Sequence, residues 1–360
     1  NHQYLKRLMY TNPAVLHGDI GTPNNNADNV YHVVTAYGVD GTAILDGFVV
    51  TGGRATGPDA SSRGAGIYID NASPTLRFLS LLDNRADQGG GLYNMGSSSP
   101  LLVNIVLSGN SATNGGGMYN AAGSPMLINV TFSEDSATLG GAFYDDGSAT
   151  LRNSIVWDED TTQSLIAGEG NTTVTYSDVR GGVSGTGNLD ADPQFMNAKG
   201  ADGVAGTLDD DLRLRTTFRH PSPVIDQGSN GALPADAEDL DGDGDTTDKL
   251  PFDASSRARL IGFTALPATV DMGAFEANIE DVLAEGDAML SEGVSFRMNH
   301  LQLLPADTPE LALQNYSNFN DGEWYYAFCS DYDNLDADGY CPETRSDHVR
   351  NDLLDTVDLY

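Results

Sequence analysis

Gly89-Gly90-Gly91-Leu92-Tyr93-Asn94 returns 26 residues later as Gly115-Gly116-Gly117-Met118-Tyr119-Asn120, and looser copies flank the two at Gly66-Ile67-Tyr68 and Gly141-Ala142-Phe143-Tyr144. Tyr68, Tyr93, Tyr119 and Tyr144 are therefore spaced by 25, 26 and 25 residues. The stretches between them agree as well. Ser73-Pro74, Ser99-Pro100 and Ser124-Pro125 precede apolar runs, and Asn104, Asn129 and Asn153 recur within those runs. Asn84-Arg85-Ala86, Asn110-Ser111-Ala112 and Asp135-Ser136-Ala137 close them. A fixed internal period decides the architecture before any single motif does.

A period near 25, with Gly triplets and Ser-Pro pairs in mid-unit, does not suit a helical repeat. It predicts an all-β fold, a right-handed parallel β-helix (solenoid) with about three short strands per turn and a C-terminal, partly helical extension. Gly supplies positive φ at the bends, and Pro marks places where no ladder donor is needed. The recurring Asn either stack into an amide ladder from turn to turn or simply favour the bends. The domain reading is 1–63 irregular N-terminal coils, 64–188 regular coils, 189–276 an acidic, loop-rich end, and 277–360 an acidic extension. That extension opens with a predicted helix over 279–290 and later carries the aromatic run Trp324-Tyr325-Tyr326-Ala327-Phe328.

Around this repeat, 360 residues carry 52 Asp+Glu against 18 Lys+Arg, a net charge of −34. The excess is uneven: residues 1–188 hold 17 acids and 8 bases, and residues 189–360 hold 35 acids and 10 bases. Such a balance argues against nucleic acid and anionic membranes as partners, which require clustered Lys and Arg. A hydrophobic content of 39% is too high for a wholly disordered acidic tail. No apolar run is long enough for a membrane span. The first residue is Asn1 and Lys occurs only at 6, 199 and 249, so the expectation is a secreted chain whose targeting segment has been removed or lies upstream.

The Gly-Gly-Gly-x-Tyr-Asn units resemble the repeats of polymorphic outer-membrane-type proteins. A wider likeness rests on Leu16-His17-Gly18-Asp19-Ile20-Gly21-Thr22-Pro23, Asn153-Ser154-Ile155-Val156-Trp157, Ser222-Pro223-Val224-Ile225-Asp226-Gln227-Gly228 and Val270-Asp271-Met272-Gly273-Ala274-Phe275-Glu276. Together these are similar to bacterial β-helix proteins with a choice-of-anchor domain of the Q type. The resemblance implies an extracellular or surface-attached protein.

Three acidic clusters are candidate Ca2+ sites. Asp239, Asp241, Asp243 and Asp245 alternate with Leu240, Gly242 and Gly244, like the first half of an EF-hand loop, in which a hard cation gathers six to eight oxygens. The usual twelfth-position Glu is replaced by Leu250, leaving Asp248 or Asp253 to substitute. The second cluster is Asp202, Asp209 and Asp211. The third, Asp331, Asp333, Asp336 and Asp338, lies between Cys329 and Cys341, the two cysteines of the chain. A disulfide between them suits secretion, and reduced thiols are the alternative.

Catalytic signatures are thin. No nucleophile elbow, phosphate loop or zinc-protease sequence occurs, and Asp145-Asp146 is the one acidic pair at a position held by Asn94 and Asn120 in earlier units. No catalytic residue is assigned. Tyr68, Tyr93, Tyr119 and Tyr144 stack on one face if the period holds, either as an exposed glycan- or partner-binding ladder or as a packed one. Solenoid ends present open strand edges that pair with other chains unless capped, and a non-closing head-to-tail contact gives a filament. The expected function is an extracellular structural or adhesive protein that assembles with itself and is stabilised by calcium. The alternatives are a calcium-dependent polysaccharide lyase or glycoside hydrolase, and a monomeric glycan- or cell-binding adhesin.

Overall fold

A computed structural model describes residues 13–23, 25–159, 164–216, 221–260 and 268–277, together with two strands at 312–316 and 325–329. The chain divides into two compact units, the first comprising 1–214, 223–260 and 269–276 and the second 215–222, 261–268 and 277–360.

The first unit is a parallel β-solenoid, as the repeat predicts, with strands on three faces. Face A receives the long apolar runs, Leu101–Ser108 pairing with Met126–Ser133 in parallel register. Face B receives the aromatic strands in the order Ile166–Ala167, Phe143–Asp145, Met118–Asn120, Leu92–Met95, Ile67–Asp70 and Val34–Tyr37. Face C is a short sheet of Ser136–Leu139, Ser111–Asn114, Arg85–Ala86 and Arg54–Ala55. Four turns contribute to all three faces, from Val34–Tyr37 through Ser136–Leu139. Among the described residues, helix is confined to two 3-10 turns at Asp59–Ser62 and Asn230–Ala232.

The turns are made by single left-handed residues, aligned from coil to coil. At the A–C corner they are Gly52, Asp83, Gly109 and Glu134, with φ of 75°, 44°, 65° and 56°. A second column bends face A in its middle at Phe78, Asn104, Asn129 and Asn153, with φ of 50–54°. Left-handed backbone is costly for most L-residues and least so for Gly and Asn, which accounts for the recurrence of Asn within the apolar runs.

Strand alternation sends one set of side chains inward. Ile67, Ile69, Leu92, Leu102, Ile105, Leu107, Leu127, Val130, Phe132 and Phe143 form a continuous core down the axis, each fully buried. At about 1.5–3 kcal/mol per fully buried aliphatic or Phe side chain, against roughly 1 kcal/mol net per hydrogen bond, this core outweighs the polar ladders described below. The outward set on face A is covered too. Val49, Leu82 and Val106 pack under Leu212, Ala254, Ala274 and Phe275. Within the segment 189–276, the described residues Leu212, Ala254, Ala274 and Phe275 thus lie against the outer side of face A.

The amide ladders sit elsewhere than on Asn104, Asn129 and Asn153. One follows the corner after face B, where Asn94 Nδ2 donates to Asn120 Oδ1 (2.8 Å) and Asn120 Nδ2 to Asp145 Oδ1 (2.7 Å). The other follows face A, where Asn84 Nδ2 donates to Asn110 Oδ1 (3.1 Å) and Asn110 Nδ2 to Asp135 Oδ1 (2.9 Å). Asn104, Asn129 and Asn153 use their amides on the covering segment instead. Asn104 donates to the Phe252 carbonyl (2.7 Å), Asn129 to the Asp271 and Gly273 carbonyls (3.1 Å each) and Asn153 to the Ser229 carbonyl (3.1 Å).

The second unit contains an antiparallel pair, Ala312–Tyr316 with Tyr325–Cys329, so the described part of the aromatic run lies on a strand. The helix expected over 279–290 lies outside the described residues.

Candidate functional site

The loop from Asp236 to Leu250 springs from a two-stranded neck. Asp236 N donates to the Asp248 carbonyl (3.0 Å), Leu250 N donates to the Pro234 carbonyl (3.0 Å), and Ala235 bridges Lys249 in antiparallel sense. Two buried leucines, Leu240 and Leu250, fasten the loop to Phe78 and Val103 on the solenoid. Arg77 ties it further, binding Asp46 (2.8 Å) on one side and Glu238 on the other. Asp239, Gly242 and Gly244 have φ of 54°, 77° and 90°, and this sequence of left-handed residues curls the chain round its own carboxylates.

The result is a convergence of oxygens. Asp239, Asp241 and Asp243 each bring one carboxylate oxygen within 4.8 Å of the others. Asp243 N donates to Asp241 Oδ1 (3.2 Å) and Gly244 N to Asp239 Oδ1 (3.1 Å). Asp245 is turned to Thr247, accepting from its amide (2.8 Å) and hydroxyl (2.7 Å), and those bonds hold its carboxyl below the usual range. Asp248 is pushed up by burial and then by the charges of Asp243, Asp241, Asp245 and Asp239. Asp253, the other proposed substitute for the twelfth-position acid, is fully buried and caps its own turn through the amides of Ser255 (2.8 Å) and Arg257 (2.9 Å).

The other acidic clusters are arranged differently. Asp209 accepts from the amides of Ala201 (2.6 Å) and Asp202 (3.2 Å), Asp202 accepts from Val204 N (2.8 Å), and Asp211 pairs with Arg213 (2.6 Å). Each carboxylate is committed to its own turn or ion pair, and among the described residues these three do not converge as Asp239, Asp241 and Asp243 do. Asp331, Asp333, Asp336, Asp338 and Cys341 lie outside the described residues, so the Cys329–Cys341 pairing does too. No disulfide occurs among the described residues.

The tyrosines do stack. Ring centroids of Tyr68, Tyr93, Tyr119 and Tyr144 follow one another at 5.7, 5.3 and 4.8 Å with interplanar angles of 9°, 28° and 19°. Tyr68, Tyr93 and Tyr119 are only 3, 3 and 7% exposed. Two of the hydroxyls are engaged at the rim, Tyr119 donating to Asp146 (2.7 Å) and Tyr68 to Met95 Sδ (3.0 Å). Burial, followed by the Asp146 bond, raises the Tyr119 phenol well above its usual range. This geometry is that of a packed ladder. Asp145, the first member of the acidic pair noted in the sequence, is buried and accepts from Asn120 in an amide ladder as well as from Thr172 (2.7 Å).

Asp236 is the residue that sequence reasoning passed over. It stands three positions before the alternating acids, outside the loop pattern, and is buried in the neck, where its Oδ2 accepts the Leu240 amide (2.6 Å). Against known proteins, the chain matches no family model, no curated protein and no solved structure.

Proposed function

We propose that this chain is a calcium-stabilised structural or adhesive solenoid of the bacterial cell surface that associates with copies of itself end to end. The convergence of Asp239, Asp241 and Asp243 on one point of an exposed loop carries the calcium part of the reading. Oxygen-only donors of this kind suit a hard cation of Ca2+ size, which accepts irregular coordination by carboxylates, carbonyls and water. Placement at the surface rests on the resemblance of the Gly-Gly-Gly-x-Tyr-Asn units and the Asp271–Glu276 stretch to secreted choice-of-anchor β-helix proteins.

Self-association draws support from the first turn. Among the described residues, Val34–Tyr37 pairs only with Ile67–Asp70, and Ile44–Asp46 only with Thr75–Arg77. The apolar side chains there stand open, with Tyr37 58% and Ile44 41% exposed. A strand edge with free donors and acceptors is a template for another chain. Light scattering and negative-stain microscopy of the purified chain, with calcium and with chelator, test the assembly reading. Particles that stay single-chain in both conditions would sink it.

A further inference from the structure

The column that begins at Asn84 repeats one arrangement from coil to coil. Asn84 Oδ1 accepts the Gly53 amide (3.0 Å), Asn110 Oδ1 the Asn84 amide (3.1 Å), Asp135 Oδ1 the Asn110 amide (2.8 Å), and the Asp158 carboxyl the Asp135 amide. Each Asn rung also gives a proton to the backbone. Asn84 Nδ2 donates to the Val50 carbonyl (2.9 Å) and Asn110 Nδ2 to the Leu81 carbonyl (2.8 Å). Val50, Leu81 and Leu107 are register partners in successive coils, so the matching carbonyl for the third rung is that of Leu107. Asp135 is seated as the Asn rungs are. Its Oδ2 lies 2.6 Å from the point where a Cβ on Gly117 would stand, and Asn84 Nδ2 lies 3.0 Å from the corresponding point on Gly66. The two glycines hold equivalent places, directly before the paired strands that open at Ile67 and Met118. Asp135 Oδ2 thus stands where an Asn rung keeps its NH2. A carboxylate has no proton to give there, and Asp135 is 0% exposed, so its charge would carry a large desolvation cost.

We propose that Asp135 is held as a neutral carboxylic acid whose Oδ2–H donates to the Leu107 carbonyl, so that one proton completes the third rung as amide protons complete the first two. The surrounding charges favour that state. Asp158 and Glu134 are the acids that act on Asp135. Of the cations near them, Lys199 binds Glu134 (3.0 Å) and Glu159 (2.7 Å), while Arg180 lies over the Trp157 ring and acts on Asp158. Burial, then the charge of Asp158, pushes Asp135 well above the usual carboxylate range against the pull of the Asn110 bonds. The Asp rung of the other ladder is built differently. Asp145 gathers Asn120 Nδ2 (2.7 Å) and the Gly147 amide (2.9 Å) on Oδ1, and the Ala149 amide (3.1 Å) and the Thr172 hydroxyl (2.7 Å) on Oδ2, the set that an acceptor-only group takes. The solenoid therefore carries one proton-dependent rung. Loss of the proton as pH rises removes the donor to Leu107 and sets a negative charge beside Asp158 and Glu134, which weakens the column at the coil of Met126–Ser133.

Urea unfolding and infrared difference spectroscopy of the full chain test this with Asp135→Asn, in the wild-type and in the Asp158→Asn background. Because the folded value lies above the unfolded value of 3.8, the contribution of Asp135 is complete below about pH 4 and is lost as pH rises through the folded value. Asn at 135 restores an amide rung that keeps its protons at every pH. The variant should therefore fold, match or exceed the wild-type urea midpoint at pH 7, and gain on wild type as pH rises further. At pH 8 the spectrum of wild type minus Asp135→Asn should show a carboxylic-acid C=O band, and the same difference in the Asp158→Asn background should keep it. An Asp135→Asn chain that fails to fold, or whose midpoint falls below that of wild type at pH 8, overturns the inference. A difference spectrum without the band does the same, as does a band that vanishes in the Asp158→Asn background.

Discussion

Asn153 and Ser229, 76 residues apart, make a reciprocal pair: the Asn153 amide nitrogen donates to the Ser229 carbonyl (3.1 Å) and its oxygen accepts the Ser229 amide (2.8 Å). An asparagine placed in left-handed backbone by a bend has its side chain free for exactly this kind of long-range bond. Asn104 and Asn129 do the same further along the column, and buried Arg259 joins them by donating to Asn104 Oδ1 and to the Ala274 carbonyl (2.8 Å).

The first prediction separates backbone from bond. Asn153→Gly keeps the left-handed bend and loses the pair, so a loss of about 1–3 kcal/mol is expected. Asn153→Ala loses both and should cost about 1 kcal/mol more. Urea unfolding of the two variants checks the order; an Ala variant as stable as the Gly variant would contradict it.

Gly273 makes the sharpest steric test. It has φ of 87°, and a Cβ there would stand 2.7 Å from Ile155 Cδ1 and 2.8 Å from Thr131 Oγ1. Its amide also donates to the Asn153 carbonyl (2.7 Å). Gly273→Ala should destabilise by about 2–4 kcal/mol, combining left-handed strain with overpacking. Thermal unfolding would show a lowered midpoint, and exchange should rise at Val49, Leu82 and Val106 before the axial core opens.

Two acids on the solenoid set a pH dependence. Asp158 is pushed up to about 7 by burial and by the charge of Glu134, and Asp178 to about 7 by burial, with Asp190 and Asp192 adding to it. Folded-state values above the unfolded value of 3.8 mean that the folded chain keeps protons the unfolded chain has already released. These two groups therefore contribute most stability below about pH 4, lose it as pH rises toward 7, and change little above that; each pKa unit corresponds to about 1.4 kcal/mol. Asp158→Asn should be more stable than wild type at pH 8 and show a shallower decline between pH 4 and 7. Denaturant unfolding at several pH values measures the difference, and parallel curves for the two proteins would refute it.

Removing a ring from the tyrosine column should act on the fold rather than on recognition. Tyr93→Ala leaves a gap between Tyr68 and Tyr119, and a loss of about 3–5 kcal/mol is expected by analogy with buried aromatic truncations. A variant of unchanged thermal stability that lost binding on a glycan array would instead favour an exposed binding ladder.

The solenoid was legible because its cause is periodic: Leu92, Met118 and Phe143 point inward for the same reason at the same spacing, and Tyr93, Tyr119 and Tyr144 stack for the same reason. The uses of Asn104, Asn129 and Asn153 were not legible, although their recurrence was. Their partners Phe252, Gly273 and Ser229 lie in a segment without a repeat, so no spacing relates them. The acidic loop shows the same division. Its alternating acids are a local pattern, while the antiparallel neck that holds the loop and the seating of Leu240 and Leu250 on Phe78 and Val103 join residues far apart in the chain.

Both amide ladders change chemistry within a single repeat length of the solenoid. Asn84 and Asn110 lead to Asp135, and Asn94 and Asn120 lead to Asp145. An amide can accept from the rung before and donate to the rung after, so a column of Asn is open to indefinite continuation. A carboxyl group has at most one proton to give where an amide has two, and burial raises Asp135 well above the usual carboxylate range. The Asp rungs therefore mark the place where the repeating columns change their donor count, and that change gives each column a direction that its Asn rungs alone do not have.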